Sequence, residues 1–406
     1  MMKKHLNSIV FLLLMSFLLS GCTEQYVIQT NTFEEALVVE ATITNELKKQ
    51  HIKISRTFRF EQNGPVFETG ADVIVSDDLG NEYLFEEAVG EYVSIFDFQA
   101  LPERTYRLNI TTEDGRTYDS SPEKLSPVNE IESVVPVIQA PNNDRGVAIM
   151  VNSFDPTGAS KYYRYEYEET YKVIAPEWDT SKAIVVPGQP GSSHAEIAVV
   201  PRSPGETKTC YKTETSSDIL LTSTVGLNED RVNFPVRFIS NKNYIITHRY
   251  SILVRQYVQS LASYTFYKTL KDLSGSESIL SQNQPGFFNG NLRSVTNPNE
   301  KVVGFFDVSS VSSKRIFFNY SDVFPGEATP DFVIDCELRR YGFCFISENP
   351  DCKGNLLLSA ISTNDLLYAS DFYDFDGGYQ VYMMVPPPCG DCTRIASNLK
   401  PSFWIE

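Results

Sequence analysis

The sequence predicts a mainly β protein made of two immunoglobulin-like β-sandwich domains, the second elaborated with one amphipathic helix and a cysteine-rich, loop-rich C-terminal segment. The 406-residue chain contains 22 Tyr and 26 Phe, and aromatic residues favour half-buried pleated surfaces. Short stretches with two-residue alternation of apolar side chains recur about every eight to twelve residues between turn residues, as in β-sandwiches. Among these stretches, one segment shows a helical period instead.

The N-terminus is predicted to be a lipoprotein signal peptide at residues 1–21. Met1–His5 carry two lysines and no acid, and Ile9–Leu19 are almost all apolar, as in a secretory signal. The apolar run is shorter than the roughly 20 residues that a membrane-spanning helix needs. The sequence LSGC, which ends at Cys22, resembles the bacterial lipobox, in which a diacylglycerol is attached to the cysteine. The alternative is a plain signal peptide with an incidental cysteine, and we predict lipidation of Cys22.

A lipidated Cys22 becomes the first residue of the mature protein and its membrane anchor. Burial of acyl chains contributes about 0.8 kcal/mol per CH₂, so a multiply acylated cysteine gives stable attachment. The rest of the chain contains no segment that approaches the roughly 18 uninterrupted apolar residues of a membrane helix. We therefore expect residues 22–32 to form a tether and Cys22 to be the membrane contact.

The N-terminal β-sandwich is predicted at residues 33–127. Ala36–Thr44 and His51–Phe60 are the first strands, and residues 70–85, GADVIVSDDLGNEYLF, have the alternation and turn residues of a hairpin. This hairpin sequence resembles the transthyretin-like or carboxypeptidase-regulatory type of immunoglobulin-like module. Further strands are predicted near Tyr92, at Tyr106–Thr112 and near Tyr118.

A second β-rich domain is predicted at residues 128–330, after a proline-containing linker at Ser126–Pro141. Residues 174–206 hold five prolines and three glycines. Because loops of this length are uncommon unless they are functional or disordered, we expect a long excursion there that contacts a partner. The predicted strands are Val147–Phe154, Tyr162–Tyr171, Tyr244–Val258, Leu292–Val295, Val302–Ser309 and Ser313–Phe318.

Two features of this domain depend on the spacing of aromatic and apolar residues. Tyr163, Tyr165 and Tyr167 fall on one face of a strand; they form either a ligand-facing ladder or, as we favour, a face packed on a neighbouring sheet. From residue 261 to residue 273 the period changes to three and four residues, with Ser260 as N-cap and Gly275 beyond the end. We predict one amphipathic helix at about 261–273.

The C-terminal segment, residues 331–406, contains five of the six cysteines that follow Cys22, and we expect it to pack on the second domain. Disulfides are the default outside the cytosol, and six thiols permit 15 connectivities. A zinc site and a redox-active CGDC pair are the alternatives, but the cysteines that precede CGDC are spaced by seven residues and no thioredoxin-like βαβ pattern surrounds it. The disulfide candidates are Cys210, Cys336, Cys344, Cys352, Cys389 and Cys392.

Charge and motifs argue against nucleic-acid binding and catalysis. The formal net charge is −17, and loss of the two signal lysines makes the mature chain more acidic, whereas phosphate binding needs clustered Lys and Arg. The chain contains no hydrolase, zincin, phosphate-loop or dinucleotide motif. His51, His194 and His248 lie in separate segments. We predict no catalytic, cofactor or metal site, although carboxylates that meet only in the folded chain escape such a search.

Several blocks in order resemble the Domain of Unknown Function 4249 family of Bacteroidota lipoproteins, over nearly the whole mature chain. The likeness comes from the number and order of the blocks. They are FEEALVVEATITNE, GADVIVSDDLGNEY, YKTETSSDILLTSTVGLNEDRV, RYSILVRQYVQSLASYTFYKTLKDLSGSESIL, QPGFFNGNLRSV, VVGFFDVSSVSSKRIFF and CGDCTRIASNLKPSFW.

The resemblance implies a lipid-anchored outer-membrane accessory protein, because members of the family are commonly encoded beside TonB-dependent receptors. It supplies no catalytic residue or cofactor, and its implied partner is a β-barrel receptor. The single acid that closely follows Cys22, Glu24, favours the cell surface over the periplasmic face in such bacteria. The alternative is a stand-alone surface adhesin or glycan- or peptide-binding module; a hydrolase would require a paired carboxylate or a Ser/His contact in a cleft.

Overall fold

The computed structural model describes residues 35–58, 64–190, 194–203, 205–274, 290–346 and 349–406. The predicted signal peptide, the tether and Cys22 lie outside this part of the chain. The described chain is mainly β, as predicted, and its strands are arranged in several sheets with a β-sandwich-like architecture. None of its described helices has the length and apolar content that crossing a bilayer requires.

The first sandwich is a sheet that surrounds one apolar core. Its strands are β1 (Leu37–Thr44), β2 (His51–Arg56), β3 (Val66–Phe67), β4 (Asp72–Asp77), β5 (Glu82–Ala88), β6 (Glu91–Ser94), β7 (Thr105–Thr111), β8 (Thr117–Ser120), β9 (Glu123–Lys124) and β19 (Leu292–Ser294). The order is β1-β2-β6-β5-β4-β7-β8-β19, with β3 beside β2 and β9 beside β7. The predicted hairpin is confirmed, because β4 pairs antiparallel with β5.

The core of the first sandwich explains the alternation seen in the sequence. In β1, every second side chain from Leu37 to Ile43 is at most 1% exposed, as the two-residue period of a strand requires. Leu292, Phe306 and Val308 join this core from far along the chain. Residues beyond 127 therefore contribute to the first core. The predicted domain limits themselves stay predictions.

The second sandwich has two facing layers. Its strands are β10 (Ile131–Gln139), β11 (Gly146–Asp155), β12 (Tyr162–Ile174), β15 (Thr209–Thr215), β16 (Leu220–Ser223), β17 (Asp230–Ser240), β18 (Tyr250–Val258) and β20 (Val302–Phe318). One layer is β15-β12-β18-β20 with β16 beside β12, and the other is β10-β11-β17. Tyr163 and Tyr165 are buried between them, and the Tyr165 ring stacks on Phe234 of the facing layer at 5.2 Å. The predicted packing role of these tyrosines is confirmed.

Strand β20 joins the two sandwiches. Its first half, Val302–Ser309, runs parallel to β1, and its second half, from Ser310 to Phe318, runs antiparallel to β18. The prediction of two separate strands here is wrong, because the serines at 309–313 continue the ladder rather than break it. One continuous strand of 17 residues therefore belongs to both sheets.

Two further predictions for the second sandwich are wrong: the linker at Ser126–Pro141 and the start of the strand at Tyr244. The predicted linker contains β10. Its Pro136 is compatible with a strand because β10 is the edge of its sheet within the described part of the chain, where it pairs with β11. The predicted strand from Tyr244 begins only at Tyr250, since Tyr244–Ile246 form a 3-10 turn that is capped by Asn243.

The predicted amphipathic helix is confirmed. Helix α1 spans Leu261–Ser274, and the Ser263 N–H donates to Ser260 Oγ at 3.1 Å, which is the predicted N-cap contact. Gly275, the predicted stop residue, lies outside the described residues. The other described α-helices are α2 (Tyr320–Val323), α3 (Gly354–Thr363) and α4 (Pro387–Gly390).

The C-terminal segment holds more regular structure than predicted. Its strands β21 (Arg339–Phe343), β22 (Leu367–Asp374) and β23 (Tyr379–Val385) form one sheet. With α3 they build a third core, against which the hairpin of β13 (Ser181–Val186) and β14 (Glu196–Pro201) packs. The described part of the predicted excursion, residues 174–206, is therefore largely this hairpin, and Ala183, Val185 and Ile197 face the third core.

Candidate functional site

A cleft of about 700 Å³ lies beneath helix α1, between strands of the first sandwich and strands of the second. We call it the α1 cleft. Strands β1 and β2 form one wall, β12, β18 and residues 216–219 form the other, and α1 contributes Phe266, Tyr267 and Leu270. A cleft of this volume is in the range of small-molecule sites. The other apolar side chains of its lining include Val38, Ile219, Tyr257, Val303 and Phe305.

The close approach of β1 and β20 at this cleft depends on Gly304. This residue has φ +143°, a backbone conformation that L side chains rarely adopt, and a Cβ built on it would lie 2.1 Å from the Val39 carbonyl oxygen. Glycine is therefore required here both by the backbone angle and by the neighbouring strand. Gly304 and Val39 both line the α1 cleft.

Arg164 of β12 is the buried cation of the α1 cleft and is only 8% exposed. Its guanidinium carbon lies 4.3 Å from the ring centre of Tyr257 and 4.7 Å from that of Tyr267, distances at which cation–π attraction stabilises the charge. Burial opposes the charged form, but the surrounding groups, Tyr267 and Glu166 foremost, raise the pKa of Arg164 above its ordinary value. Arg164 therefore stays charged.

Glu166 of the same strand completes a short chain of hydrogen bonds. The Arg164 Nη1 donates to Glu166 Oε1, and the Tyr257 hydroxyl donates to Glu166 Oε2 at 2.9 Å. Burial alone would raise the pKa of Glu166, but the charge and hydrogen bond of Arg164 outweigh it and lower this pKa. A carboxylate that is ionised and already holds two donors is a weak proton acceptor, so this geometry suits binding better than general-base catalysis.

Polar contacts behind the cleft hold α1 in place. Asp307 of β20 is buried, and burial raises its pKa although the Arg164 charge opposes this. The Ser309 hydroxyl donates to Asp307 Oδ2 at 2.6 Å, and the Gln259 side-chain amide donates to the same oxygen at 3.4 Å and to Ser263 Oγ of α1 at 3.0 Å. The helix is also fixed by its Phe266 ring, which lies 5.6 Å from that of Phe305.

The six predicted disulfide cysteines all form disulfides. The pairs are Cys210–Cys392, Cys336–Cys389 and Cys344–Cys352. The two cysteines of CGDC bond to different partners, so the redox-pair alternative is wrong, and no sulfur of the six is left as a thiolate for zinc. Elsewhere in the described chain, no group of three or more His, Cys, Asp or Glu side chains is arranged to hold a metal ion.

The three histidines have separate surroundings. His51 Nδ1 lies 3.2 Å from a Glu91 carboxylate oxygen, and the His194 ring stacks on Phe345 at 3.9 Å. Burial, with the nearby Lys172 and Lys208 charges, lowers the pKa of His248. His51 lines the α1 cleft, whereas His248 lines a different surface depression beside Glu406.

Arg164, Tyr257 and Tyr267 were not among the residues predicted to form a site. The available signal was an arginine within the tyrosine-rich strand sequence KYYRYEYEETY, on the face opposite the packed tyrosines. A second signal was Asp307, the single acid in the apolar stretch VVGFFDV. Neither signal shows which aromatic rings cover the arginine, because those rings come from β18 and α1.

A family model described as domain of unknown function (DUF4249) matches residues 23–315. This range contains all residues named in the α1 cleft and both sandwiches except the end of β20, which extends to Phe318. The expected likeness over nearly the whole mature chain is thus confirmed as far as residue 315, while the block at CGDC lies beyond the match. A search of the curated proteins finds no match. Since more than half of the chain is matched, the protein belongs to the DUF4249 family.

Proposed function

We propose that this protein is a lipid-anchored outer-membrane accessory protein of a TonB-dependent transporter complex, which binds cargo without catalysis. The observation that carries the cargo-binding role is the α1 cleft, in which a buried Arg164 is paired with Glu166 and covered by two tyrosine rings. Apolar side chains surround this pair. Small-molecule sites have this composition, a largely apolar wall with few placed polar groups.

The anchoring part of the proposal is supported by the sequence LSGC before Cys22. Membership of the DUF4249 family agrees with the resemblance on which the transporter partner is proposed. The acidic composition disfavours direct attraction to anionic lipid headgroups. We therefore propose that acyl chains on Cys22 supply the attachment, and that the cell surface is the exposed side.

The anchoring is tested with the Cys22→Ala variant in cells. We expect wild-type protein to carry fatty acids on its N-terminal cysteine by mass spectrometry, to be cleaved when intact cells are treated with protease, and to co-purify with a β-barrel receptor. The Cys22→Ala chain should lose all three properties, whereas a Thr23→Ala control should keep them. A wild-type N-terminus without fatty acids would contradict the anchor, and a lipidated protein that captures no receptor would contradict the transporter role.

The second candidate, a stand-alone adhesin or glycan- or peptide-binding module, is favoured by one hairpin tip. Phe372 and Tyr373 near the end of β22 and Phe375 in the turn to β23 are exposed, with Phe375 at 88%. Exposed aromatic clusters are common contact points for ligands. The Phe372→Ser/Phe375→Ser variant is expected to abolish cell adhesion if this function holds, and unchanged adhesion would exclude the tip from it. A Leu79→Ser variant, at another exposed turn, is the control.

A further inference from the structure

We propose that the α1 cleft takes an uncharged amphipathic molecule, with an apolar body and one hydrogen-bonding end, and discriminates against molecules of the same shape that carry a net charge. This inference rests on the proposed function, because it names the chemical class of the cargo. It follows from the apolar lining, the closed Arg164–Glu166 pair and the balance of charges in the cleft.

The apolar part of the lining comes from three elements. Helix α1 contributes Phe266 and Leu270, β1 contributes Val38, and β20 contributes Val303 and Phe305. These side chains offer no hydrogen bond, so they favour an apolar ligand body. The cleft of about 700 Å³ has room for a drug-sized molecule.

The polar part offers a hydrogen bond rather than a free charge. The Arg164 guanidinium lies between two tyrosine rings and is paired with Glu166, so little of its charge is open to a ligand anion. The Glu166 side chain is 42% exposed. Its carboxylate can therefore accept one further hydrogen bond, from a hydroxyl or an amide N–H of the ligand.

The other charges of the lining are balanced as well. Lys48 is paired with Glu46 at 2.5 Å, and Lys53 lies directly opposite Glu40 in the β1–β2 register. Among the described residues of the lining, Lys48, Lys53 and Arg164 are matched in number by Glu40, Glu166 and Asp218. Asp218 is exposed to solvent, so water screens its charge. A charged ligand would therefore lose its hydration without gaining a buried, unpaired counter-charge, which weakens binding.

The test uses three probes that share one apolar body. They are N-acetylphenylalanine amide, which is uncharged, N-acetylphenylalanine, which is an anion, and phenylalanine amide, which is a cation. Binding is measured by titration calorimetry on the chain as the cell processes it, held in phosphatidylcholine nanodiscs, with empty nanodiscs as the blank. We expect the uncharged probe to bind at least tenfold more tightly than either charged probe.

Variants separate the proposed ligand class from the proposed role of the α1 cleft as the cargo site. Leu270→Ala should weaken binding of the uncharged probe at least fivefold, and Leu79→Ala, at an exposed turn outside the cleft, should not change it. Glu166→Gln leaves Arg164 without its counter-charge, so it should shift the preference toward the anion. Equal or tighter binding of a charged probe to the wild type would overturn the ligand class alone. Failure of all three probes to bind a folded chain would reject the class together with the cleft as the cargo site.

Discussion

At the scale of single residues, hydrogen bonds to buried carboxylates fix the turns of this protein. Asp155, at the end of β11, accepts the Thr157 N–H at 2.9 Å and hydroxyl at 2.6 Å, and its second oxygen accepts the Ser160 N–H at 2.8 Å. Burial alone would raise the pKa of Asp155, but these bonds outweigh it and lower the pKa to about 2. The turn into β12, the strand that carries Arg164, thus depends on an ionised Asp155.

The lowered pKa of Asp155 predicts a specific dependence of stability on pH. Because the folded-state pKa is below the unfolded value of 3.8, the stabilisation is fully present above about pH 4 and is lost as the pH falls toward 2. For Asp155→Asn we expect a free energy of unfolding about 2 kcal/mol lower than wild type at pH 6, from this shift, with the difference shrinking toward pH 2. Urea titrations at several pH values measure it.

The control for Asp155 is Asp72→Asn, at an exposed position of β4. This change should alter the free energy of unfolding by less than about 0.5 kcal/mol. A difference between wild type and Asp155→Asn that stays constant from pH 6 to pH 2 would show that the ionised carboxylate is not the source of the stabilisation.

At the scale of elements, the pairing of β1 with β20 depends on a position that tolerates only glycine. In Gly304→Ala, the added Cβ collides with the Val39 carbonyl oxygen and the residue must keep φ near +143°. We expect the free energy of unfolding to fall by roughly 2–4 kcal/mol. Chemical denaturation measures the loss, and reduced binding of cleft ligands should accompany it.

The Gly80→Ala variant separates the effect of the positive φ from the effect of the steric collision. Gly80 also has a positive φ, +82°, but a Cβ there meets nothing within 4 Å. Its substitution should therefore cost only about 1 kcal/mol, the backbone contribution. If both variants lost the same stability, the steric contact between β1 and β20 would be excluded as the cause of the larger loss.

The elements also show which parts of the structure can be predicted from neighbouring residues in the sequence. The β4–β5 hairpin was predictable because its alternation and its turn residues lie within one short stretch, and α1 because its period and N-cap are local. The continuity of β20 was not predictable from sequence, because its two halves pair with β1 and β18, which are distant in sequence. The α1 cleft was not predicted for the same reason, because Arg164 of β12 contacts Tyr267 only when α1 packs on the sheet.

At the scale of the whole molecule, one disulfide links the C-terminal segment to the second sandwich. Cys210 of β15 is bonded to Cys392, 182 residues later, and both are buried. For the Cys210→Ala/Cys392→Ala variant we expect the free energy of unfolding to fall by about 2–5 kcal/mol. Denaturant titration measures this loss, and limited proteolysis should release fragments that end near residue 392.

The Cys344–Cys352 bond is the matched comparison, because it closes a loop between positions only 8 residues apart. In the chain-entropy description a short loop restrains the unfolded chain less, so the Cys344→Ala/Cys352→Ala variant should lose about 2 kcal/mol less than the long-range variant. An equal loss from both variants would indicate that native packing, rather than restraint of the unfolded chain, dominates.

The central position of β1 has a mechanical consequence. This strand is the first described strand of the chain, and it lies between antiparallel β2 and parallel β20. A pulling force applied to the chain ahead of β1 acts along the strand axis, so the ladder hydrogen bonds on both sides share the load instead of rupturing one after another. In single-molecule force spectroscopy, a pull from the N-terminal side should meet a high rupture force at this strand.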